Sequence, residues 1–487
     1  MSTKDDRIIN LPAYQLSAQI HSREVSCVEV MNAYLDRIDE VNPKVNAVVN
    51  LQERHGLVKQ SEVKDAQLKD GKSNGWMHGF PQAIKDLADA EGLPTTWGYR
   101  GLINNIAKAD SVAIARMKRD GSIVVGKTNS PEWGYGSNTY NEVFGATGNP
   151  YNPDLTSGGS SGGAACTLAL NMQPVADGSD YMGSLRNPAG YCNIFGYRPS
   201  WGRVPNVGFE MFYSDGGILG PMAKNTPDLA LLLNTMSGYD LRVQDSLCDD
   251  PNLKALTPDN VCDHLKSDIK GKKVAWLGNL DGYLAMEDGV LDVCQSALDK
   301  LSGDAGVVVD AVKPFFDTAE FWEKVWLPVR HFSGTALKVF YENPDMRALL
   351  KPEALFEYEG SLKYGVQDLY SAGLRRTTMY LAALKVFEDY DFMAIPTAQV
   401  FPFDKNVHWP KEIAGRKMDT YHRWMEVVTP WTLIGVPIAA VPAGFNKDGL
   451  PMGIQIIGKP RGDWDLLKFT YGYEQVHGEI LRRKPEM

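Results

Sequence analysis

The sequence contains few of the residues that build disulfide frameworks, metal centres or membrane spans. Its six cysteines are scattered over 487 residues without a Cys-x-x-Cys pair, which is typical of buried thiols and not of disulfides or a zinc site. Its eight histidines show no metal-ligand spacing. The longest apolar stretch, residues 431–445, contains Pro437 and Pro442 and is too short to cross a bilayer. We therefore expect no metal and no membrane span.

The charge balance argues against another class of partner. The formal net charge is −10 and the isoelectric point is about 5.4, values that disfavour a nucleic-acid or anionic-membrane surface. Hydrophobic residues make up 44% and charged residues 23% of the chain, as in ordinary globular proteins with a sizeable core. The first residues also lack the apolar segment of an export signal. We expect a cytoplasmic protein that binds no nucleic acid and no membrane.

Helices, short strands and glycine-rich loops alternate along the chain, which indicates an α/β fold. Ser26 and Glu29 form a capping-box pattern at the start of a helix, and we expect that helix to end at Pro43. No linker rich in proline, glycine or serine is present, so residues 1–487 are expected to form one domain. The other predicted elements are helices over 111–118, 227–236, 318–342 (interrupted at Pro328) and 364–389, strands over 123–125 and 270–277, and a helix, turn and strand over 297–312.

Two glycine-rich segments carry serines suited to nucleophilic chemistry. One reads Gly-Gly-Ser-Ser-Gly-Gly-Ala-Ala over 158–165, and the other reads Gly-Ser-Asp-Tyr-Met-Gly-Ser over 178–184. Most serine hydrolases need an imidazole to take the proton from the nucleophile, and no histidine lies between these segments. Another base is required, and Lys85, which follows Gly79-Phe-Pro-Gln-Ala-Ile, is the natural candidate.

Together, Lys85, Ser160 and Ser184 resemble the Ser–cis-Ser–Lys triad of the amidase signature family. The two serines are 24 residues apart and the lysine precedes the first by 75 residues, spacings that are typical of the family. Residues 151–204, 435–445 and 448–455 also resemble it, whereas the middle of the chain matches loosely. The resemblance implies a large central mixed β-sheet flanked by helices on both faces, with a signature core over about 75–205 and a variable lobe over about 237–394.

The resemblance also implies the roles of the three residues. Ser184 is expected to be the nucleophile, and Ser160, held by a cis Gly159–Ser160 peptide, is expected to relay its proton to Lys85. A lysine acts as a base only when it is neutral, so burial must lower its pKa from about 10.4 by several units. The neighbouring carboxylate of Asp86 should not reverse this, because adjacent side chains of a strand point in opposite directions.

Further site residues are carried over by position from the family. The oxyanion hole is expected to consist of the backbone amides of Tyr181, Met182, Gly183 and Ser184. Asp180 and Arg186 are expected to brace this loop as a bidentate ion pair. The remaining candidates are Ser161 and Ser179 as supporting residues and Gly134, Gly136 and Met182 as substrate contacts. The resemblance implies no cofactor.

The oxyanion loop departs from the family pattern. The usual Gly-Thr-Asp-Thr-Gly-Gly-Ser is replaced by Gly-Ser-Asp-Tyr-Met-Gly-Ser, so Met182 places a flexible apolar side chain beside the scissile group. Tryptophans also crowd the C-terminal half of the chain, where they either pack in the core or line an aromatic pocket. These are Trp322, Trp326, Trp409, Trp424 and Trp431.

The sequence therefore predicts a hydrolase of a small or aryl amide, and carbamates, esters and nylon- or urethane-type oligomers fall within the same mechanism. A homodimer is compatible with this prediction. The alternative within the family is the glutamine-hydrolysing catalytic subunit of an aminoacyl-tRNA amidotransferase, which works with a tRNA-binding partner. Two weaker patterns remain, an α/β-hydrolase esterase elbow over 159–163 and a nucleotide-binding P-loop over 121–128.

Overall fold

An eight-stranded mixed β-sheet is the largest sheet of the structure, a computed structural model that describes residues 3–208, 210–213 and 216–487. The strands are β1 (Val48–Val49), β2 (Pro81–Lys85), β3 (Ile123–Thr128), β4 (Tyr140–Asn141), β5 (Gly145–Ala146), β6 (Ala176–Asp180), β7 (Phe195–Arg198), β8 (Ile218–Ala223), β9 (Lys273–Trp276), β10 (Val308–Ala311), β11 (Phe392–Pro396), β12 (Glu412–Ile413), β13 (Arg416–Lys417), β14 (Ile438–Phe445) and β15 (Pro451–Ile457).

Helices flank the sheets along the whole chain. The α-helices are α1 (Thr3–Asn10), α2 (Ala13–His21), α3 (Cys27–Val45), α4 (Arg54–Lys69), α5 (Val112–Arg119), α6 (Gly162–Ala169), α7 (Arg186–Cys192), α8 (Thr226–Met236), α9 (Pro251–Lys254), α10 (Val261–Leu265), α11 (Val290–Ala305), α12 (Thr318–Phe321), α13 (Leu327–Gly334), α14 (Lys338–Glu342), α15 (Pro344–Arg347), α16 (Pro352–Ser361), α17 (Val366–Asp389), α18 (Thr429–Leu433), α19 (Asp463–Val476) and α20 (Gly478–Arg482).

The large sheet has the strand order β10-β9-β11-β15-β14-β7-β8-β6. Its first three strands run parallel, and the remaining neighbours are antiparallel. A three-stranded sheet of order β1-β3-β2 lies beside it. The fold is the predicted α/β class with a large mixed sheet flanked by helices.

Side chains join the two sheets where β2 meets β6. The backbone amide of Ala83 donates to Gln173 at 2.9 Å, and that of Lys85 donates to the carboxylate of Asp177 at 3.2 Å. Strand β2 pairs with β3 along one edge only, and these bonds satisfy backbone donors along its other edge. They place the end of β2, and therefore Lys85, beside the edge strand of the large sheet.

The first long helix begins as predicted and ends later than predicted. The side chain of Ser26 accepts a hydrogen bond from the amide of Glu29, and the glutamate returns the capping-box contact. Pro43 lies inside the last turn, because a proline removes a single donor and the turn around it can still form. The helix ends at Val45, where Asn46 takes a left-handed conformation.

The predicted long helix over 318–342 is divided into short helical segments. A π-helical turn over Trp322–Trp326 precedes Pro328, and a 3₁₀ turn over Thr335–Leu337 follows. Since Pro328 has no amide hydrogen to donate, an altered hydrogen-bond register just before it is physically expected. The other short 3₁₀ segments are Arg100–Leu102, Glu132–Gly134 and Arg423–Val428.

Four of the five tryptophans that crowd the C-terminal half of the sequence pack in the core. Trp322, Trp326, Trp424 and Trp431 are each at most 1% exposed, and Trp409 is partly buried. The prediction of buried thiols holds for four cysteines, but Cys248 is exposed and Cys262 is half-buried; all six are free. Among the helices of the described residues, none combines the length and apolar character that crossing a membrane requires.

Candidate active site

The ammonium of Lys85 lies at the centre of a cluster of serine hydroxyls. Its Nζ is 2.8 Å from Ser160 Oγ, 2.8 Å from Ser161 Oγ and 2.9 Å from Ser179 Oγ. The lysine ends β2, Ser160 and Ser161 precede α6, and Ser179 belongs to β6. The fold therefore brings together three segments that lie up to 94 residues apart in the chain.

Burial gives this lysine unusual acid–base properties. Lys85 is 1% exposed, and burial lowers its pKa to about 7, although the charges of Asp177 and Asp180 oppose that shift. No carboxylate of the described residues forms an ion pair with its Nζ. The carboxylate of Asp86 instead accepts hydrogen bonds from the amide and hydroxyl of Thr96, as the alternation of strand side chains predicts. Lys85 can therefore be neutral near pH 7.

Asp177 is a buried acidic neighbour that sequence reasoning missed. Both carboxylate oxygens accept from the backbone amide of Lys85, at 3.2 and 3.3 Å. Burial raises the pKa of Asp177 to about 6, and the Lys85 amide together with the charges of Lys127 and Lys85 opposes the rise. Asp177 and Ser179 are two residues apart on β6 and share its face toward Lys85. This two-residue spacing is the sequence signal from which Asp177 could have been identified.

The segment before α6 contains the predicted cis peptide between Gly159 and Ser160. Ser160 is 2% exposed and Ser161 is fully buried. The amide of Ser161 donates to the carbonyl of Ser184 at 3.3 Å, and the Ser161 hydroxyl also lies 3.3 Å from the carbonyl of Ser179. Ser161 thus connects the lysine cluster to the second serine segment.

Ser184 lies in the loop between β6 and α7, with 6% of its surface exposed. Gly183 before it has φ +81°, and a Cβ there would lie 2.9 Å from Val428 Cγ2. Only glycine fits this position without strain. The sharp turn leads directly into α7, which begins at Arg186.

One predicted oxyanion donor has a different role in the structure. The amide of Gly183 donates to Asp180 Oδ1 at 2.9 Å, so it holds the loop and is not assigned to the oxyanion hole. The amides of Met182 and Ser184 have no acceptor among the described residues. The amide of Leu185 also donates to Asp180, at 3.1 Å from Oδ2. A carboxylate that accepts hydrogen bonds from two amides of its own loop stabilises the shape of that loop.

Asp180 and Arg186 form the predicted bidentate ion pair, fully buried. Arg186 Nε lies 2.9 Å from Oδ2 and Nη2 lies 2.8 Å from Oδ1. Arg198 makes a second contact with Asp180 at 3.4 Å. Although burial acts to raise it, the charges of the two arginines hold the pKa of Asp180 well below its usual range. The carboxylate therefore stays ionised and serves structure.

The three predicted substrate contacts lie in different surroundings. A Cβ at Gly134 would be 3.6 Å from Ser160 Oγ, so this glycine borders the serine cluster. Gly136 lies farther along the same segment, where a Cβ would be 4.0 Å from Lys351 Nζ. Met182 is buried in the loop before Ser184, with 6% of its surface exposed.

The two weaker patterns do not have the structure that their chemistry needs. Residues 123–128 of the P-loop pattern form the buried strand β3, whereas a phosphate-binding loop needs free backbone amides. Lys127 in that pattern donates to Ala88 O and Thr95 Oγ1. Only isolated bridges precede Gly159 over 147–158, whereas the hydrolase elbow follows a strand.

Two further features bear on ligands. Within the described part of the chain, no group of three or more His, Cys, Asp or Glu side chains is placed to hold a metal ion. A cavity of about 490 Å³ lies apart from the serines and the lysine, and it is lined by residues from 279–292 together with Ala414 and Arg416. Its lining contains none of the predicted site residues.

The chain matches known proteins over most of its length. The Amidase family model matches residues 29–467. The chain is 31% identical over 470 residues to an acylamidase of Rhodococcus erythropolis, covering 96% of this chain and 95% of that protein. It is 32% identical over 520 residues to a glutamyl-tRNA(Gln) amidotransferase subunit of Carboxydothermus hydrogenoformans, covering 98% and 99%.

A solved structure shares the fold over nearly the whole length. The crystal structure of a bacterial aryl acylamidase, an amidase signature enzyme, superposes with a TM-score of 0.88 at 27% identity and covers 97% of both chains. The family match, the sequence relatives and this structure each cover most of the chain. The protein therefore belongs to the Amidase family of amidase signature enzymes, and it is an enzyme that hydrolyses amide C–N bonds.

Proposed function

We propose that this enzyme hydrolyses small or aryl amides through an acyl-enzyme on Ser184, with Ser160 as the proton relay and Lys85 as the base. The observation that carries the proposal is the 2.8 Å contact between Lys85 Nζ and Ser160 Oγ in a buried site. A general base works best when its pKa lies near the working pH, and the pKa of Lys85 is lowered to about 7.

The proposed reaction has two halves that use the same groups. Ser184 Oγ attacks the amide carbonyl while its proton passes through Ser160 to neutral Lys85. The oxyanion accepts hydrogen bonds from the amides of Met182 and Ser184, and the amide of Tyr181 is the third proposed donor. The lysine then returns the proton through Ser160 to the departing amine. Water attacks the acyl-enzyme by the same route and releases the carboxylic acid and free Ser184.

The preference for small or aryl amides draws on relatives that carry the name acylamidase. Met182 in the loop before Ser184 has an apolar side chain, which suits an apolar substrate better than glutamine. Carbamates, esters and nylon- or urethane-type oligomers remain within the proposal, because an acyl-enzyme on serine can form from each.

Glutamine hydrolysis is the second candidate, since several relatives at about 30% identity are glutamyl-tRNA(Gln) amidotransferase subunits. In that case the chain would need a partner for its full reaction. The homodimer, the cytoplasmic location, and the single domain with its core over 75–205 and variable lobe over 237–394 also stay predictions.

The first prediction is that a fluorophosphonate labels Ser184 in the purified chain and that Ser184→Ala loses both the label and nearly all turnover. Because the substitution removes the proposed nucleophile, the loss should be on the order of 10⁴-fold or more. Mass spectrometry of the labelled peptide and rates on a panel of p-nitroanilides, carbamates, aliphatic amides and glutamine provide the measurement.

Ser160→Ala is the matched comparison, because it removes the relay and keeps the nucleophile. We expect it to lose less than Ser184→Ala, with both variants unfolding at the wild-type temperature within a few degrees. A label on Ser161 would refute the assignment of the nucleophile. Turnover of glutamine only in the presence of an added partner would favour the amidotransferase interpretation.

A further inference from the structure

Arg330 of α13 is enclosed between the rings of two tyrosines. Its guanidinium carbon lies 4.9 Å from the ring centroid of Tyr135 and 4.8 Å from that of Tyr181. The arginine is 4% exposed. A desolvated guanidinium stacked on an aromatic face is a strong form of cation–π contact, and here one cation serves two rings.

The orientation of that guanidinium is fixed from behind. Arg330 Nε donates to Glu357 Oε1 at 2.8 Å, and Nη2 donates to the hydroxyl of Tyr421 at 3.2 Å. Tyr421 in turn donates to the same carboxylate. Glu357 is fully buried, and the charge of Arg330, against the effect of burial, holds its pKa well below its usual range. The plane of Arg330 is therefore held by a charged partner and not by the tyrosine rings alone.

The first ring belongs to the oxyanion loop. Tyr181 lies three residues before Ser184, and its hydroxyl donates to the carbonyl of Val329 at 3.4 Å. On another side the ring lies against Gly216, where a Cβ would be 2.3 Å from Cε2 of the tyrosine. Trp326 approaches its edge with ring centroids 6.1 Å apart. A ring confined by these neighbours holds the backbone at 181 in place.

The second ring belongs to the segment beside Ser160. Tyr135 follows Gly134, at which a Cβ would lie 3.6 Å from Ser160 Oγ. The carbonyl of Tyr135 accepts from Lys351 Nζ at 2.7 Å. Arg330 thus contacts one residue next to each of the two serine-bearing parts of the site, and it reaches them from a helix of the loosely matched middle segment.

We propose that Arg330 is a positioning residue that aligns the oxyanion loop with the Ser160 segment through Tyr181 and Tyr135. The inference rests on the proposed function, because it concerns the rate at which Ser184 is acylated. Misplacement of a reacting group by about 1 Å can cost on the order of 100-fold in rate, so a residue outside the reacting atoms can control turnover. Arg330 itself touches neither the serines nor the lysine.

The test is a double-variant cycle on Arg330→Lys and Tyr181→Leu. Lysine keeps the charge opposite Glu357 but loses the planar stacking surface, and leucine removes the ring while leaving the Arg330–Glu357 pair intact. The second-order rate of fluorophosphonate labelling at Ser184, kcat and KM for one p-nitroanilide substrate, and the unfolding midpoint are measured for each variant.

We expect each single change to lower the labelling rate and kcat by about 10- to 100-fold, with KM changed less than about 3-fold. The double variant should be no slower than the slower single variant, because both changes break one contact. Wild-type labelling rates in the folded single variants, or losses that multiply in the double variant, would overturn the proposal.

Arg423→Lys is the matched control. Arg423 is also buried, bonds Glu426 at 2.7 Å and stacks on Trp322 at 4.6 Å, and neither of these contacts involves Tyr181 or Tyr135. The substitution should lower the unfolding midpoint while the labelling rate stays within about 2-fold. If Arg330→Lys does not fold, Tyr181→Leu and Tyr135→Leu still decide the question. Absence of any label on wild-type Ser184 would instead refute the proposed function.

Discussion

At the scale of single residues, the proton of Lys85 controls the proposed reaction. The Nζ of Lys85 hydrogen-bonds serine hydroxyls and, among the described residues, no carboxylate, so hydrogen bonds hold the amine while burial disfavours its charge. The same amine must accept a proton from Ser160 and return it to the leaving group. A pKa far above 7 would leave too little neutral lysine, and one far below would make the ammonium form too scarce to protonate the amine.

We predict that kcat/KM rises with pH to a plateau, with a midpoint near 7. The pKa of Lys85 is lowered to about 7, so the lysine is protonated and inactive below that pH and neutral above it. Lys85→Arg should lose on the order of 10²- to 10⁴-fold, because a guanidinium cannot accept the proton. Initial rates between pH 5.5 and 9.5 on one amide provide the measurement.

Lys118→Arg is the control for this change, since Lys118 pairs with Asp110 at 2.7 Å, away from the serines. It should keep the wild-type profile. A rate that does not vary over this pH range, or near-wild-type turnover by Lys85→Arg, would mean that another group carries the proton.

At the scale of secondary-structure elements, one face of β6 sets the environment of the lysine. Side chains alternate between the two faces of the strand. Asp177 and Ser179 face Lys85, whereas Asp180 faces Arg186. A Cβ at Gly178 would lie 2.6 Å from Leu185 Cδ2. The edge strand thus contacts Lys85 on one face, and Arg186 and the loop of Ser184 on the other.

We predict that Asp177→Asn shifts the midpoint of the pH–rate profile to lower pH, by about one pH unit at most. The charge of Asp177 acts to raise the pKa of Lys85, and asparagine removes that charge while keeping an oxygen to accept the Lys85 amide. The pH dependence of kcat/KM measures the shift.

Asp86→Asn serves as the comparison, because Asp86 adjoins Lys85 in the chain but its carboxylate contacts Thr96. It should leave the midpoint in place even if it costs stability. A midpoint that moves to higher pH in Asp177→Asn would contradict the electrostatic role given to Asp177.

Across the whole molecule, Arg186 joins the loop of Ser184 to the C-terminal third of the chain. Besides Asp180, its guanidinium donates to the carbonyl of Val428 at 2.9 Å, to Thr432 Oγ1 at 2.7 Å and to Gln455 Oε1 at 2.7 Å. One side chain therefore bonds α18 and β15 as well as its own loop. The rigidity of the site depends on segments more than 240 residues away.

We predict that Arg186→Lys lowers the free energy of unfolding by about 3 to 5 kcal/mol. A lysine has one nitrogen and cannot make the five hydrogen bonds, so buried acceptors, including part of the Asp180 carboxylate, are left unpaired. Chemical denaturation followed by tryptophan fluorescence measures the change.

Arg242→Lys is the exposed counterpart. Arg242 forms an ion pair with Asp240, two residues earlier in the chain, and its side chain is exposed to solvent. The substitution should alter the free energy of unfolding by less than about 0.5 kcal/mol. Equal effects of the two substitutions would show that the buried network around Arg186 does not hold the loop.

Much of the local structure, and the residues proposed to react, could be predicted from the sequence. The capping box at Ser26, the helix over 227–236 and the strand after residue 122 all follow from patterns within a few residues. Lys85, Ser160 and Ser184 could be named because their short glycine-rich motifs resemble those of a family. The ends of elements were less certain, as Pro43 and the π turn before Pro328 show.

The contacts around those residues could not be predicted in the same way. The carboxylate of Asp177 beside Lys85, the bond from the Gly183 amide to Asp180, and Arg330 between two tyrosine rings are absent from any motif. The two-residue spacing of Asp177 and Ser179 on β6 was a weak sequence signal that Asp177 lies near Lys85. Arg330 lies 149 positions from Tyr181 in the chain, and no sequence pattern indicated their contact.

The sequence by itself determined the fold class, because the alternation of helices, strands and glycine-rich loops depends on short-range backbone preferences. It also predicted the proposed reacting residues, through motifs that resemble those of a family, and the need for a neutral lysine, through the chemistry of the amine. Tertiary structure alone decided which charged groups lie near that lysine, which amides of the loop at Ser184 have no acceptor among the described residues, and which distant cation contacts the tyrosines beside the two serine segments. Desolvation and cation–π contacts depend on the atoms packed within a few ångströms, and those atoms come from parts of the chain that only folding brings together.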